Sequence, residues 1–384
     1  MTKSSIPLSW RQVKFGDVVD NMNETTRSPA SIGLDRIVGL DHMDPESLPL
    51  KRWDNLSDLH EGTSFTRVFR TGQVLFGKRR AYQRKVSLPD FDGICSGDIL
   101  VFQPKNEALL PKFLPFLVQS NGFFDHALGT SAGSLSPRTK WQELAKYEFV
   151  LPPIAEQHRI ANALKTIELN RNSFNLAKKA ALIQKNALMN WWIFNGAEGM
   201  LGKLEDHATL NPGGVTLSEE DPFVPMDALP FLQRRPDYFE QKGSRGGVRA
   251  RAGDVLFARI TPCLENGKIC QVPSEIEVCG GSTELIVIRT KGEVSQDLLF
   301  HWATFEPIRQ RAANLMIGTT GRQRLMAKDL GTLPFRKLSF QMECELVETL
   351  NQIEKVVGLL DLQLQECKSL EWSIRELLLA GKDV

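Results

Sequence analysis

Short apolar runs bounded by Gly, Pro, Asn or Asp recur along the chain. Examples are GQVLFG and GICSGDILVF in the first half and GDVLFA and TELIVIR in the second half. Runs of this length that are rich in β-branched and aromatic residues predict strands. The segments LPKFLPFLVQSNGFFDHAL and SQDLLFHWATFEPIRQRAANLM predict helices, interrupted at Asn121-Gly122 and Glu306-Pro307. The pattern therefore predicts an α+β protein built from mixed globules.

Two much longer runs lack the residues that break helices. The first extends from Ile154 to Asn195 with no proline or glycine, and the second extends from Ser339, a suitable N-cap, to Ala380 with Gly358 as its one interruption. Roughly 40 residues at about 1.5 Å each give a helix on the order of 60 Å long. That length exceeds a compact globule of about 140 residues. We therefore expect a long helix at the end of each globule.

Apolar residues along the second run alternate steps of four and three, which is typical of a coiled-coil seam. The seam positions are Leu346, Leu350, Ile353, Val357, Leu360, Leu364 and Cys367. The first run has a looser stripe of Ile160, Leu164, Ile167, Phe174, Ala177, Ala181 and Leu188, with Arg171 on it. Because neither helix can bury its stripe alone, we predict that the two pair as an antiparallel coiled coil. A core helix in each globule stays open as an alternative.

The sequence also repeats itself. Leu144, Leu164 and Ile167-Glu168 match Leu330, Leu350 and Ile353-Glu354 at an offset of 186 residues, TGQVLF matches AGDVLF at 181, and Gly129-Thr130 matches Gly318-Thr319 at 189. Offsets that drift early and agree late indicate variable loops followed by an element of fixed length. The chain is therefore interpreted as a tandem of two repeats.

The two repeats predict four parts. These are a first globule at residues 1–153, a first long helix at 154–196, a second globule at 197–338 and a second long helix at 339–384. Tandem repeats folded back through an antiparallel helix pair acquire a pseudo-two-fold axis. We expect that symmetry here.

Composition limits the classes of function. The chain has 384 residues, of which 42% are hydrophobic, and a formal net charge of +1. No segment approaches the roughly 18 apolar residues of a membrane span, and the N-terminus lacks an apolar signal region, so we expect a cytoplasmic protein. The six cysteines include no CxxC pair, which argues against a metal site, and no cofactor is expected. A nucleic-acid partner would require locally concentrated positive charge.

Positive charge is concentrated around the GxVLF strand of each repeat. The first cluster consists of Arg67, Arg70, Lys78, Arg79, Arg80, Arg84 and Lys85, with Phe69, Phe76 and Tyr82 among them. The second consists of Arg234, Arg235, Lys242, Arg245, Arg249, Arg251 and Arg259, followed by Asn266 and Lys268. Arg and Lys neutralise phosphates, and Arg and Asn can also read base edges. A solvated surface is the ordinary explanation of such runs, but their recurrence favours a nucleic-acid interface.

A second basic group follows each Gly-Thr pair. It consists of Arg138 and Lys140 after Thr130, and of Arg322, Arg324 and Lys328 after Thr319. Small residues and hydroxyls in these loops would let backbone N–H groups approach a phosphate closely. A plain linker into the following strand stays an equal alternative.

No catalytic constellation can be assembled from the sequence. Walker, GxGxxG and HExxH patterns are missing. GTSAG at 129–133 has the letters of GxSxG, but it follows a predicted helix and not a strand, so it does not predict a nucleophile elbow. Asn211-Pro212 resembles the start of the NPP[YF] motif of amino-methyltransferases, but it continues Gly-Gly and lacks the aromatic residue that would stack on a flipped base. We interpret it as a turn. In two copies of a basic, strand-rich module, the missing motifs favour binding over catalysis.

Several motifs resemble the specificity subunits of type I restriction-modification systems, over essentially the full chain. They are GTSAGSLS and VLPPIAEQHRIANAL before the first long helix, KRRAYQRKV and DGICSGDILVF in the first repeat, and ITPCLENGKI and GGSTELIVI in the second. The second repeat departs from the pattern, with LPFRKLSFQMECEL in place of LPP-x-x-EQ. That departure leaves the start of its helix less well defined.

The resemblance implies a non-catalytic subunit in which each globule is a target recognition domain. Each domain would read one half of a split double-stranded DNA sequence, with the paired helices as a ruler for the spacer. The helices would also dock two methyltransferase subunits, which carry S-adenosylmethionine, and restriction subunits would join the outside. Residues that match the family's reading segments are Lys78, Arg79, Arg80, Tyr82 and Arg84 in the first repeat and Arg259, Thr261, Glu265, Asn266 and Lys268 in the second.

The candidate DNA-binding set is completed by residues of the basic clusters and the Gly-Thr loops. These are Thr130, Arg138, Lys140, Arg245, Thr319, Arg322 and Arg324. Two rival functions stay open. One is a nuclease or methyltransferase with an unrecognised site, which would act on DNA alone. The other is a scaffold whose helices gather protein partners and whose basic patches are solubilising.

Overall fold

The structure, a computed structural model, describes residues 10–58, 63–196, 199–241, 246–319 and 321–377. Contacts divide it into two compact units. Unit 2 is Asn175–Asp361, and unit 1 holds the described residues before and after that range. Each unit contains one sheet-rich globule and a part of each long helix. The four-part division of the sequence stays a prediction, because the division by contacts passes through both helices.

Among its described residues, the first repeat contributes ten strands and five α-helices. They are β1 (Arg11–Lys14), α1 (Phe15–Val18), β2 (Val19–Met22), β3 (Arg36–Val38), β4 (Asp54–Asn55), β5 (Arg67–Phe69), β6 (Val74–Gly77), β7 (Val86–Ser87), β8 (Gly93–Cys95), β9 (Ile99–Pro104), α2 (Leu114–Val118), α3 (Asn121–Gly129), α4 (Trp141–Leu144), β10 (Glu148–Leu151) and α5 (Ile154–Asn190). A π-helical turn at Trp191–Asn195 continues α5.

The described part of the second repeat contributes twelve strands and five α-helices. They are β11 (Met200–Lys203), α6 (Leu204–His207), β12 (Ala208–Leu210), β13 (Pro222–Val224), β14 (Glu240–Gln241), β15 (Val248–Arg251), β16 (Val255–Ala258), β17 (Ile269–Gln271), β18 (Val278–Gly281), β19 (Leu285–Thr290), α7 (Gln296–Thr304), α8 (Glu306–Asn314), β20 (Ile317–Thr319), β21 (Arg322–Arg324), α9 (Ala327–Gly331), β22 (Pro334–Lys337) and α10 (Phe340–Leu377). Among the residues that the structure describes, no helix is long and apolar enough to span a membrane.

The two globules have the same strand connectivity. In unit 1 the four-stranded sheets have the orders β2-β9-β6-β7 and β4-β3-β8-β5, and β1 pairs with β10. In unit 2 the corresponding orders are β12-β19-β16-β17 and β14-β13-β18-β15, and β11 pairs with β22. The pairs β3·β8 and β13·β18 are parallel. The repeat in the sequence is therefore a repeat of the fold, and the predicted mixture of helix and sheet is confirmed.

The apolar strand runs bury both of their faces. On β6, Phe76 belongs to a core shared with α2 and α3, whereas Leu75 belongs to a second core with the other sheet. On β16, Phe257 and Leu256 divide in the same way. Successive residues of a strand face opposite sides of the sheet. A strand with a core on each side is therefore apolar at every position, which explains runs such as GQVLFG.

Equivalent buried side chains fix the start of each long helix. In unit 1, the amide oxygen of Gln157 accepts a hydrogen bond from the backbone N–H of Leu110 at 2.8 Å, and its amide nitrogen donates to the carbonyl of Ala108 at 2.8 Å. In unit 2, Glu343 accepts from the backbone N–H of Ser295 at 2.6 Å. The second repeat lacks the LPP-x-x-EQ motif, but its Glu343 carboxylate makes the same kind of attachment as the Gln157 amide.

In unit 1 the first part of α5 contacts the last part of α10. Arg171 Nη1 lies 2.9 Å from Glu371 Oε2, and Ile374 packs against the core of the globule. Arg375 Nη2 donates to Gln119 Oε1 at 2.9 Å. The end of α10 is therefore attached both to α5 and to the globule of this unit.

In unit 2 the last part of α5 contacts the first part of α10. Lys178 Nζ lies 2.5 Å from Asp361 Oδ1, and Met189 shares a core with Leu346 and Leu350. These contacts run in opposite directions along the two helices within this unit. Pairing of the whole helices as one antiparallel coiled coil, and the pseudo-two-fold axis, stay predictions.

Burial along α10 follows the predicted seam. Leu350 is fully buried, whereas Leu359, outside the seam, is 54% exposed. The stripe predicted along α5 is wrong at Ala177, which is exposed. The neighbouring Lys178 is partly buried instead, because its side chain pairs with Asp361 on α10. Gly358 does not interrupt α10, which continues through this position. A β-carbon added there would meet no other atom within 4 Å, so no close packing requires the glycine.

Candidate nucleic-acid interface

In unit 1 the basic segment after β6 lies beside the basic segment before α4. The backbone N–H of Lys78 donates to the carbonyl of Asp98 at 3.0 Å, and the Lys78 carbonyl accepts from the N–H of Thr139 at 3.1 Å. The N–H of Arg80 donates to the carbonyl of Pro137 at 2.8 Å. Two basic groups that are separate in the sequence therefore form one surface.

Asp98 lies at the centre of this surface. Its carboxylate accepts hydrogen bonds from Arg138 Nε at 2.8 Å and Arg138 Nη2 at 3.3 Å, and Arg79 Nη1 lies 3.6 Å away. The hydrogen bond from Arg138 lowers the pKa of Asp98 below its usual range. The pKa of Lys78 is lowered, first by burial and then by the charge of Arg67. One carboxylate thus orients several cations, and positive charge remains in excess.

Unit 2 has the same backbone arrangement. The N–H of Arg259 donates to the carbonyl of Glu284 at 3.0 Å, and the Arg259 carbonyl accepts from the N–H of Leu325 at 2.8 Å. The N–H of Thr261 donates to the carbonyl of Gln323 at 3.1 Å. The segment after β16 therefore lies beside β21, as the segment after β6 lies beside the corresponding loop in unit 1.

The carboxylate at the centre is also repeated. Arg324 Nη2 lies 2.6 Å from Glu284 Oε1, and Arg324 Nε lies 2.9 Å from Glu284 Oε2. This hydrogen bonding lowers the pKa of Glu284. The arginine side chains of both pairs stay about half exposed, at 47% for Arg138 and 49% for Arg324. A guanidinium has five N–H donors, so each arginine keeps donors for a partner in solvent.

The predicted phosphate loops are hairpins beside these carboxylates. In unit 1, the N–H and carbonyl of Ala132 bond to the carbonyl and N–H of Arg138 at 3.0 and 2.9 Å, and residues 133–137 form the loop. In unit 2, strands β20 and β21 pair antiparallel. Ile317 lies opposite Arg324 at the open end, and Thr319 lies opposite Arg322 next to the turn. Phosphate binding by these hairpins stays a prediction, and a plain linker into the following strand stays its alternative.

A strained turn presents Tyr82. The 3₁₀ turn Ala81–Gln83 lies between Arg80 and Arg84, which have φ angles of 54° and 52° in the left-handed region. Residues with a β-carbon seldom adopt this conformation, and it concentrates at functional sites. Tyr82 is 56% exposed. The turn therefore holds an aromatic ring outward beside the basic surface of unit 1.

Other predicted residues are open to solvent. Exposed residues among them are Lys140 in unit 1 and Glu265, Asn266, Thr319 and Arg322 in unit 2. Thr261 Oγ1 donates to Glu265 Oε1 at 3.0 Å, so those two side chains form one polar unit. Together they provide donors and acceptors of the kind that contact phosphates and base edges.

Two predicted cations are engaged within the chain. Arg84 Nη2 donates to the carbonyl of Gln119 at 3.1 Å, and its guanidinium lies 4.4 Å from the ring centroid of Phe124. Lys268 Nζ donates to the carbonyl of Met226 at 2.9 Å. These contacts favour a role for Arg84 and Lys268 in holding the loops, rather than in binding a partner directly.

The hydroxyl of Thr130 is engaged as well. It donates to the carbonyl of His126 at 2.8 Å and lies 3.2 Å from the hydroxyl of Thr139. It therefore closes the end of α3 next to the hairpin. Arg245 lies outside the residues that the structure describes.

Neither Asp98 nor Glu284 was predicted as a site residue. The two precede β9 and β19 at an offset of 186 residues, the offset that also relates Leu144 to Leu330, so an acidic residue at both positions was the available signal. Within the described ranges, no group of three or more His, Cys, Asp or Glu side chains could hold a metal ion.

Comparison with known sequences confirms the resemblance. Residues 45–184 match the family model of the type I restriction modification DNA specificity domain. The specificity subunit of the Escherichia coli type I restriction enzyme EcoDI is 28% identical over 185 residues, which span 48% of this chain and 40% of that subunit. The match thus covers less than half of the relative's length.

Solved structures share the fold along the whole chain. A chain from the structure of a type I R-M system, determined to explain complex assembly and conformational transition, has a TM-score of 0.55 at 22% identity and covers 99% of this chain and 100% of that chain. The S subunit of a type I restriction-modification system from M. genitalium has a TM-score of 0.57 at 14% identity, with 99% and 98% covered. At these identities the likeness establishes the fold alone.

Proposed function

Because residues 45–184 match a type I restriction modification DNA specificity domain, we propose that this chain is the DNA-reading subunit of a type I restriction-modification complex. The observation that carries the proposal is the basic surface built twice, around Asp98 in unit 1 and Glu284 in unit 2. Arginines oriented by carboxylates suit bidentate contacts with guanine or phosphate. Such a function places the protein in the cytoplasm.

Each unit would read one half of a bipartite target in double-stranded DNA. The two surfaces share their backbone arrangement but differ in side chains: unit 1 presents Tyr82 and Lys140, whereas unit 2 presents Asn266 and Arg322. Equivalent scaffolds with different reading groups predict two different half-site sequences. The long helices α5 and α10 would pair and set the length of the unspecified spacer between them.

The long helices would also dock methyltransferase subunits. In unit 2 large apolar side chains are exposed on α5, with Leu176 at 69% and Ile183 at 60%, and on α10, with Leu359 at 54%. In unit 1 Trp372 of α10 is 61% exposed. Apolar groups exposed on helices suit a protein partner. Since each unit has such groups, we propose two methyltransferase subunits, with restriction subunits outside them.

The protein itself would not catalyse a reaction. Arginine hydrogen bonds hold the pKa values of Asp98 and Glu284 below their usual range. A general acid or base works best with a pKa near the working pH. Both carboxylates are therefore suited to orienting arginines and unsuited to proton transfer near pH 7.

A map of adenine methylation tests this function. We would compare host cells with and without this gene, next to its neighbouring genes. Loss of methylation at one split motif with a fixed spacer is the expected result. An unchanged map, combined with failure to recover a methyltransferase subunit on the purified chain, would contradict the proposal. Cleavage or methylation of DNA by the purified chain alone would support the rival enzyme.

A further inference from the structure

The hairpin loop of unit 1 carries an apolar side chain at its tip. Leu135 is the central residue of the loop 133–137 and is 91% exposed, more than any other large apolar residue among those described. Burial of a leucine side chain stabilises a folded protein or a complex. Because Leu135 has almost no contacts within the described chain, it gains almost none of that stabilisation there.

The loop is held firmly in place. The carbonyl of Pro137 accepts from the N–H of Arg80 at 2.8 Å, and Ser136 Oγ accepts from Arg79 Nη2 at 3.1 Å. The bonds between Ala132 and Arg138 close its base. Leu135 therefore projects from a fixed support, and that support consists of the basic residues of the candidate interface.

The surroundings of Leu135 select one kind of partner. Arg138 is half exposed and Lys140 is exposed on the chain that leaves the hairpin, and Arg79 contacts the hairpin itself. A partner that satisfies both the cations and the leucine must carry negative charge outside and apolar surfaces inside. Duplex DNA has phosphates outside and stacked base faces inside, and apolar side chains can insert between its base pairs.

We propose that Leu135 inserts as a wedge between adjacent base pairs of the half-site contacted by unit 1, unstacks them and bends the duplex there. This inference rests on the proposed function and adds a residue that reads deformability of the DNA rather than base edges. A flexible step, such as a pyrimidine–purine step, is expected at that point of the half-site.

The hairpin of unit 2 lacks the wedge. Between its paired residues Thr319 and Arg322 the sequence is Thr-Gly, with no large apolar residue, and Arg322 is exposed. Ile317, which is 63% exposed, pairs with Arg324 at the open end of the hairpin and not at the tip. Unstacking should therefore occur in one half-site and not in the other.

Fluorescence of 2-aminopurine tests the wedge. The full chain, assembled with its methyltransferase subunits, is bound to duplexes of the target mapped above, with 2-aminopurine placed at each position of both half-sites in turn. At positions other than the target adenines, which a methyltransferase itself extrudes from the duplex, we expect a several-fold rise in fluorescence at one step of one half-site. Leu135→Ser should abolish the rise, Leu135→Met should keep it, and Ile32→Ser, at an exposed isoleucine of the same globule, should leave it unchanged.

The outcomes separate the wedge from the proposed function. Specific binding by the wild-type complex without any rise, or a rise that persists in Leu135→Ser, would overturn the wedge and leave the function intact. Loss of methyltransferase subunits from Leu135→Ser, with the rise unchanged, would assign Leu135 to a protein interface and overturn it as well. Failure of the wild-type complex to prefer the mapped target would reject both.

Discussion

Arg324 and Glu284 form a two-pronged ion pair, with 2.6 Å between Nη2 and Oε1 and 2.9 Å between Nε and Oε2. Arg138 and Asp98 form the equivalent pair in unit 1. Ion pairs as exposed as these contribute little to stability, because solvent screens them. Their repetition just before the equivalent strands β9 and β19 is better explained by the orientation that they impose on each arginine.

Replacing Asp98 by Asn should lower specificity more than affinity. The change releases Arg138 and Arg79 from a fixed position and also removes a negative charge from the interface. Non-specific binding should therefore rise slightly, while the preference for the target over unrelated DNA falls about tenfold. Competition binding of the assembled complex measures this ratio. Glu284→Gln is the matched change for the other half-site, and equal sensitivity of both half-sites to either variant would contradict the assignment.

Exposed cations of the interface should determine the salt dependence of binding. Lys140→Ala and Arg322→Ala should each reduce the slope of log K against log salt by about one, because each removes one phosphate contact. Titrations of the assembled complex at several salt concentrations measure the slope. Lys179→Ala, on the exposed side of α5, is the control and should leave the slope unchanged. An unchanged slope for Lys140→Ala and Arg322→Ala would exclude them from phosphate contact.

The exposed apolar residues of α5 should hold a protein partner. The double change Leu176→Ser and Ile183→Ser removes side chains that are 69% and 60% exposed, so it should leave the fold intact. It should sharply reduce the amount of methyltransferase that co-purifies with the chain. Ile32→Ser, at an apolar residue of the globule that is 47% exposed, is the matched control. Equal retention of the partner by the double variant and the control would exclude this face of α5.

Lengthening both helices should lengthen the spacer. Seven residues inserted near Lys178 in α5 and near Gln363 in α10 add about 10 Å to each helix while keeping the phase of the seam. The methylated motif should keep both half-site sequences and gain a spacer longer by a few base pairs. Sequencing of methylated sites reads the result directly. Altered half-sites would show that the helices do more than measure distance.

Stability should fall below about pH 6.5, because His301 is protonated in the unfolded chain but stays neutral in the folded protein. Burial, followed by the charge of Lys185, lowers the pKa of His301 to about 4. The unfolded chain binds that proton with a pKa near 6.5, so between about pH 6.5 and 4 the unfolded state holds more protons. The free energy of unfolding should therefore fall by about 2 kcal/mol from pH 7 to pH 5 through this group.

Replacement of His301 by Gln isolates this effect. Glutamine keeps a donor for Asn351 Oδ1, which lies 2.8 Å from His301 Nε2, and does not titrate. Urea unfolding at pH 7 and pH 5 compares the two proteins. A loss in the variant as large as that in the wild type would show that other groups cause it.

Much of the fold was accessible from the sequence, because strands and helices follow local patterns. The GxVLF runs, the interrupted helices before each Gly-Thr pair and the start of α10 at Ser339 all depend on residues close in sequence. Ser339 Oγ indeed accepts from the N–H of Met342 at 3.4 Å. The seam of α10 was predicted for the same reason. The prediction that Ala177 lies on the buried stripe of α5 was wrong, because Lys178 pairs with a residue of another helix.

The sequence by itself determined that this chain is a tandem of two α+β modules with local positive charge and long helices, since hydrophobic periodicity, repetition and charge are properties of the order of residues. Only the tertiary structure decided which basic residues share a surface. Asp98 and Glu284 belong to the candidate interface because they accept hydrogen bonds from arginines 40 residues further along the chain. Hydrogen bonds between such distant segments depend on the packing of whole sheets, which no local pattern specifies.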